Sequence, residues 1–296
     1  MPTEPPPPAA EPRVAPGAPL APVASVEVAD AHVHLFPPRV FEAIWRWFDE
    51  HAWHVEYPLY AEQVVEFLRA RGVSRMIALH YSHRPGMARV LNRFVADVAA
   101  RSPEVVPVAT VLPGEPDADE ILAEALGPLG LRGVKLHCHV QRLSPDDPRL
   151  EPVFRRASEA GVPVVIHSGR APCLGGYGVD VRTLCGAERT RRVLQRWPKL
   201  KLVVPHLGAD EVLEHFAMLD EFENLWLDTT MALASYFEAP PDPALLVRHA
   251  DRLLYGSDFP NLPYAWDTEL AWLRAHLPPD ALAKILGGTA AALFTP

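Results

Sequence analysis

From residue 26 onward, short apolar runs alternate with longer stretches in which apolar residues recur at helical spacing. The runs are VEVAD (26–30), RMIALH (75–80), VVPVATV (105–111), GVKLH (133–137), VPVVIH (162–167), KLVVPH (201–206), LWLD (225–228) and RLLYGSD (252–258), eight in all. Between them, Val64, Phe67 and Leu68 before Gly72, and Met87, Val90, Leu91, Phe94 and Val98 before Pro103, predict helices. Near-continuous apolar strands separated by helices predict a parallel sheet covered on both faces. Eight such units predict an α/β fold of the (β/α)8 TIM-barrel type, with a doubly wound sheet as the alternative.

Two segments depart from the alternation. Residues 1–24 hold nine prolines, a composition that favours extended or disordered chain, so this arm is set apart and residues 25–296 are read as one barrel domain. The stretch SGRAPCLGGYGVDVRTLCGAE (168–188) reads as the longest connection and as a loop that shapes a pocket.

Composition narrows the function classes. With 49% hydrophobic and 22% charged residues, the 296-residue chain has ordinary globular values. A net charge of −9 without clustered Lys or Arg argues against nucleic acid and for a small-molecule substrate. Three cysteines, Cys138, Cys173 and Cys185, form no CxxC pair and are read as reduced structural thiols. No signal-peptide pattern or membrane-length apolar run appears, so the expectation is a cytoplasmic protein without membrane association, with a homodimer as the default assembly.

The chemistry sits at the ends of the runs, where a parallel barrel builds its active site. His32 and His34 end the first run; on a strand, residues two apart share a face, so their imidazoles converge. Lys135 and His137 close the fourth run, His167 the fifth, His206 the sixth and Asp258 the eighth. Imidazoles plus a carboxylate form a ligand set for zinc or a similar divalent ion with an open position, a site suited to acidifying water.

In this order and at barrel spacing, DAHVHLF, GVKLHCHV, VVIHSG, VVPHLG and LYGSDFP resemble the amidohydrolase superfamily, in its amidohydrolase-2 (amidohydrolase-related) branch, over nearly all of residues 26–296. That branch contains hydrolases and lactonases as well as metal-dependent non-oxidative decarboxylases. The resemblance implies His32, His34, His167 and Asp258 as metal ligands, with Asp258 also moving a proton. It implies His206 as a ligand of a second ion in binuclear members, or as an acid/base near a single ion in the decarboxylases. Lys135 falls where some relatives carry a carboxylated lysine bridging two ions, a role that requires carboxylation or a depressed pKa, and the decarboxylase-like members lack it. Thr289 stands where many relatives have an asparagine, and its hydroxyl is expected to cap the last helix.

Substrate contacts are assigned to His137 and His80 at strand ends, and to Arg170 and Tyr177 in the loop after His167, where an Arg fork matches a carboxylate. Trp45, Trp47 and Trp53 follow the paired histidines and either wall an apolar pocket or pack on the barrel. The expected function is a hydrolase acting on an ester, lactone or amide through water activated by one or two divalent ions, most simply zinc, with Asp258 and His206 as catalytic groups. The alternative is a decarboxylase of a small carboxylated substrate.

Overall fold

A computed structural model of the chain describes residues 27–294, so the Pro-rich arm over 1–24 lies outside the described residues. All eight apolar runs carry strands: β1 (Val28–His34), β2 (Val73–Leu79), β3 (Val105–Pro107), β4 (Ala109–Thr110), β5 (Val134–His137), β6 (Val164–His167), β7 (Leu202–Val204), β8 (Leu225–Asp228) and β9 (Leu253–Leu254). The first strand extends through His34 rather than stopping at Asp30.

Every neighbouring pair is parallel, in the orders β1-β2-β3 and β4 through β9. β3 and β4 are two pieces of the third run, parted where Pro107 has no N–H to give the ladder. The next two residues carry the sheet onward: Val108 N donates to Ala78 O at 3.3 Å and Ala109 N to Gly133 O at 2.8 Å. The ends meet as well. Ala31 N donates to Tyr255 O (2.8 Å) and His34 N to Phe259 O (2.8 Å), while Asp258 N donates to His32 O (3.0 Å). The strand positions therefore follow one another around a (β/α)8 barrel.

Two apolar clusters divide the core. The smaller gathers Ala29, Ala31, Ile77, Leu79, Val165, Val203 and Leu254 with Leu293 and Phe294 of the C-terminal helix, and fills the barrel interior away from the histidines. The larger joins strands to the helical layer, and each fully buried Val or Leu there contributes roughly 1.5–3 kcal/mol. The helix Ala61–Arg69 buries Val64 and Leu68 as its spacing predicts, with Val65 beside them, and leaves Phe67 partly buried against the core. The helix Met87–Arg101 buries Leu91, Val95 and Val98, a face that leaves Val90 63% exposed although the sequence pattern grouped it with the core. One residue of phase, about 100° on a helix, is enough to move it out.

The segment 168–188 is more ordered than a loop. It contains a 3-10 turn at Gly175–Tyr177, the short helix Val181–Leu184 started by Asp180, which accepts from Arg182 N at 3.0 Å, and the first turn of the helix Ala187–Arg196. Thr289 is no cap: its hydroxyl donates to Ala250 O at 3.2 Å, because the helical path continues into Thr289–Phe294 from the π-turn Lys284–Gly288. Among the described residues, no helix is long and apolar enough to cross a membrane.

Candidate metal centre

The strand that carries His32 and His34 is bent to present them. Its register against β2 shifts between Asp30 and Val33, the mark of a bulge. Before the bulge, Ala29 and Ala31 join the interior cluster; after it, His32 and His34 line the cavity at the C-terminal mouth. Asp30 pins this bend to the chain after β9. Its Oδ1 accepts from His32 N (3.1 Å) and Ser257 N (3.0 Å), and its Oδ2 accepts the Ser257 hydroxyl at 2.5 Å. Burial pushes the Asp30 carboxyl up to about 7 against the hydrogen bonds from Ser257 and His32.

Gly256 makes the approach possible, since a Cβ there would lie 2.3 Å from Thr230 Oγ1 and 2.8 Å from His32 Cβ. Asp258 follows at φ 74°, a conformation unusual for a residue with a side chain, fixed by its N–H on His32 O. The result is convergence: His32 Nε2 lies 3.3 Å and His34 Nε2 3.0 Å from Asp258 Oδ1. One donor atom from each of the three residues falls within 4.8 Å of the others.

These residues fit a divalent ion. Tetrahedral ligand bonds of about 2.0–2.2 Å place neighbouring donor atoms roughly 3.3–3.6 Å apart, close to the 3.3 and 3.0 Å between the two Nε2 atoms and Asp258 Oδ1. The outer nitrogens are already used: His32 Nδ1 bonds Asp228 Oδ2 at 2.8 Å and His34 Nδ1 bonds Leu79 O at 3.2 Å, so both Nε2 atoms are left as acceptors. Burial, with Lys135 adding to it, lowers His32 to about 4, which keeps that imidazole neutral and able to ligate. Burial would raise Asp258, but His34 beside it and the other nearby imidazoles hold it well below the usual carboxylate range.

A second donor set lies alongside. His206 Nδ1 donates to Thr230 O at 3.0 Å and His167 Nε2 to Ala171 O at 3.1 Å, so His206 Nε2 and His167 Nδ1 face each other at 3.1 Å as two lone pairs. Burial lowers both imidazoles, His206 against the pull of Asp258 and Asp228, and His167 strongly, with His137 and His139 adding to it. Two acceptors at that distance without a proton call for a cation that both can bind. His206 takes φ 59° in the turn after β7 and is held there by its N–H on Asp228 Oδ1 at 3.0 Å.

Lys135 stands beside the first set. It is fully buried, with Nζ 3.4 Å from His32 Nε2, and burial lowers it to about 8 despite Asp228 and Asp258.

The cavity above these groups measures about 660 Å³. His137 and Tyr177 line it, and the His137 ring stacks on His167 with centroids 4.3 Å apart. Trp47 and Trp53 also line it, whereas Trp45 packs on Phe41. Two sequence-assigned contacts are placed elsewhere. His80 is buried away from the cavity wall, with Nε2 donating to Asn92 Oδ1 at 3.1 Å. Arg170 is outside the wall too, its guanidinium taken by Asp210 and Glu211 at 3.1 Å each. Sequence reading passed over Asp228, Asp30, His139 and the cavity-lining Arg84 and Arg142. Asp228 ends an apolar run just as Asp258 does, and Asp30 lies two residues before His32, so both had a positional signal.

A parallel barrel with imidazole and carboxylate donors converging at its C-terminal mouth defines a class of metal-dependent enzymes. The amidohydrolase family model matches residues 29–295, and the chain belongs to that family. A crystal structure of an uncharacterised TIM-barrel protein from Bordetella bronchiseptica is 26% identical, with a TM-score of 0.69, covering 90% of this chain and 98% of its own. The 2,6-dihydroxybenzoate decarboxylase of Rhizobium is 18% identical, with a TM-score of 0.66, covering 91% of this chain and 98% of its own. A 5-carboxyvanillate decarboxylase from Novosphingobium aromaticivorans with bound manganese is 15% identical, with a TM-score of 0.64, covering 91% and 97%. No curated protein matches the chain.

Proposed function

We propose that the protein is a metal-dependent hydrolase of a small ester, lactone or amide, with two donor sets bridged by Lys135. The observation that carries this reading is the position of Lys135: buried, 3.4 Å from His32 Nε2, in contact range of a site whose ions would drive an ammonium away. A neutral amine there is free to take up carbon dioxide as a carbamate, whose two oxygens suit a bridge. His32, His34 and Asp258 would hold one ion and His167 with His206 the other. Such ions, zinc being the simplest choice, supply Lewis-acid polarisation of a carbonyl and an acidified water.

The chain's own groups do the rest. Asp258, held ionised, takes the proton of the attacking water and returns it to the leaving atom. Asp228 and Leu79 fix the histidine tautomers. Tyr177, Trp47 and Trp53 offer an apolar wall that excludes solvent from the substrate body.

A second reading, decarboxylation, draws support from Arg84 and Arg142 in the cavity wall, which could hold a carboxylate, and from decarboxylases among the similar structures. The test is a parallel assay of zinc- or manganese-loaded protein: proton release from lactones, esters and amides against carbon dioxide release from carboxylated aromatics. Hydrolysis lost on Asp258→Asn supports the first reading. Carbon dioxide release without any hydrolysis replaces it with the second.

A further inference from the structure

The helix Pro38–His51 carries an apolar arc wider than the barrel covers. Phe41 is fully buried and Trp45 stacks on it at 5.4 Å, and this side packs on the barrel. Val40, Ala43, Ile44, Trp47 and Phe48 recur at i, i+3, i+4, i+7 and i+8, and all five line the cavity above the metal centre, none of them buried.

A wall of rings continues from this stripe. Tyr177 meets Trp47 with centroids 5.0 Å apart, Trp47 meets Phe48 at 5.4 Å, Phe48 meets Trp53 at 5.0 Å and Trp53 meets Phe237 at 5.5 Å. Every one of these rings lines the cavity, although the segments after β6 and β8 supply Tyr177 and Phe237. The cavity is graded in depth: His32, His34 and His167 are 5% exposed or less, whereas Phe237 is 46% exposed and the other rings are half-buried. Trp53 ties the wall to the metal end, its Nε1 donating to Asn261 O at 2.9 Å just after Asp258. Apolar surface left open in a cavity favours an apolar occupant, and rings already packed on one another lose little rotamer freedom when covered.

We propose that the ring-lined part of the cavity is a tail subsite: a substrate that presents its reacting group to the metal centre lays an uncharged alkyl or aryl chain along Trp47, Phe48, Trp53 and Phe237. The identity of the reacting group rests on the hydrolase reading; recognition of the chain does not. Under that reading the substrate is an ester, lactone or amide with a medium-length alkyl or arylalkyl tail, in place of a compact and highly charged ring.

The test varies the tail alone. Zinc-loaded protein is titrated with straight-chain hydroxamates from acetohydroxamate to decanohydroxamate, whose common head chelates the ion, and Kd is read by calorimetry and by tryptophan fluorescence. Kd should fall about two- to fourfold per added methylene while the chain follows the wall. Phe237→Ala, at an exposed position, should flatten that slope, and Ala43→Glu, exposed within the stripe, should remove most of it by setting a carboxylate where the chain lies. Affinity that stays flat along the series, or a slope equally steep in both variants, would overturn the subsite. A tail ending in a carboxylate that binds more tightly than the methyl-ended tail of the same length would overturn it as well, giving its far end to Arg84 or Arg142. A chain-length slope in protein that hydrolyses none of the matching p-nitrophenyl esters, lactones or amides would support the subsite and remove the hydrolase reading.

Discussion

His32 and Asp228 meet at 2.8 Å, Nδ1 to Oδ2, while the other oxygen of the same carboxylate accepts the His206 backbone N–H at 3.0 Å. One buried side chain thus orients a donor of each set. Burial opposes its ionisation, yet His32 and its hydrogen bond, with His206, bring Asp228 down to about 2, so it is an anion wherever the protein is folded near neutrality. Replacing Asp228 by Asn leaves the shape and removes the charge that fixes the tautomer. Metal affinity, measured by chelator competition, should fall about 10–100-fold with the circular-dichroism spectrum unchanged.

Asp258 differs in kind, because it belongs to the convergent set and, in the proposed hydrolysis, also receives the water proton. For Asp258→Asn, kcat should drop about 10²–10⁴-fold even in excess metal, since added ion restores binding and not the proton acceptor. Recovery of full turnover on metal addition would reduce Asp258 to a ligand alone.

Gly256 is a packing prediction independent of any substrate. A methyl group there would sit 2.3 Å from Thr230 Oγ1 and 2.8 Å from His32 Cβ, and the backbone must give way. Gly256→Ala should cost roughly 1–3 kcal/mol in denaturant unfolding and displace His32 from Asp228. An alanine variant with wild-type stability would show that β9 does not approach β1 so closely.

His80 yields a pH prediction. Burial lowers it to about 4 against the hydrogen bond to Asn92, so the folded protein leaves it neutral where the unfolded chain would protonate it near 6.5. Below pH 6.5 the unfolded state therefore binds the extra proton, and stability falls with pH until the folded imidazole titrates near 4. The loss approaches an order of 3 kcal/mol at the acid end. His80→Gln keeps a donor toward Asn92 without the titration, so its stability should decline less over that window at equal metal content. Identical pH slopes in the two proteins would place the titrating group elsewhere.

Eight strand-bearing runs and the order of His32, His34, Lys135, His167, His206 and Asp258 were legible because period and position along a parallel barrel are local properties. What the sequence hid depends on partners far along the chain. Nothing near Arg170 announces that Asp210 and Glu211 will occupy its guanidinium. His80 ends a run like the others, and the helix Met87–Arg101 brings Asn92 over it. The bulge between Asp30 and Val33, which turns His32 into the cavity, leaves no compositional trace, and Asp228 looked like one more strand end until its two oxygens were seen shared.

The central claim, two donor sets bridged by Lys135, is tested most directly by metal content per chain together with intact mass under conditions that preserve a carbamate. The account predicts about two metal ions per chain and the added mass of one carbon dioxide on Lys135, both lost in Lys135→Met. One ion per chain with Lys135 unmodified would contradict it, leaving Lys135 to the substrate and His206 to proton transfer beside a single ion.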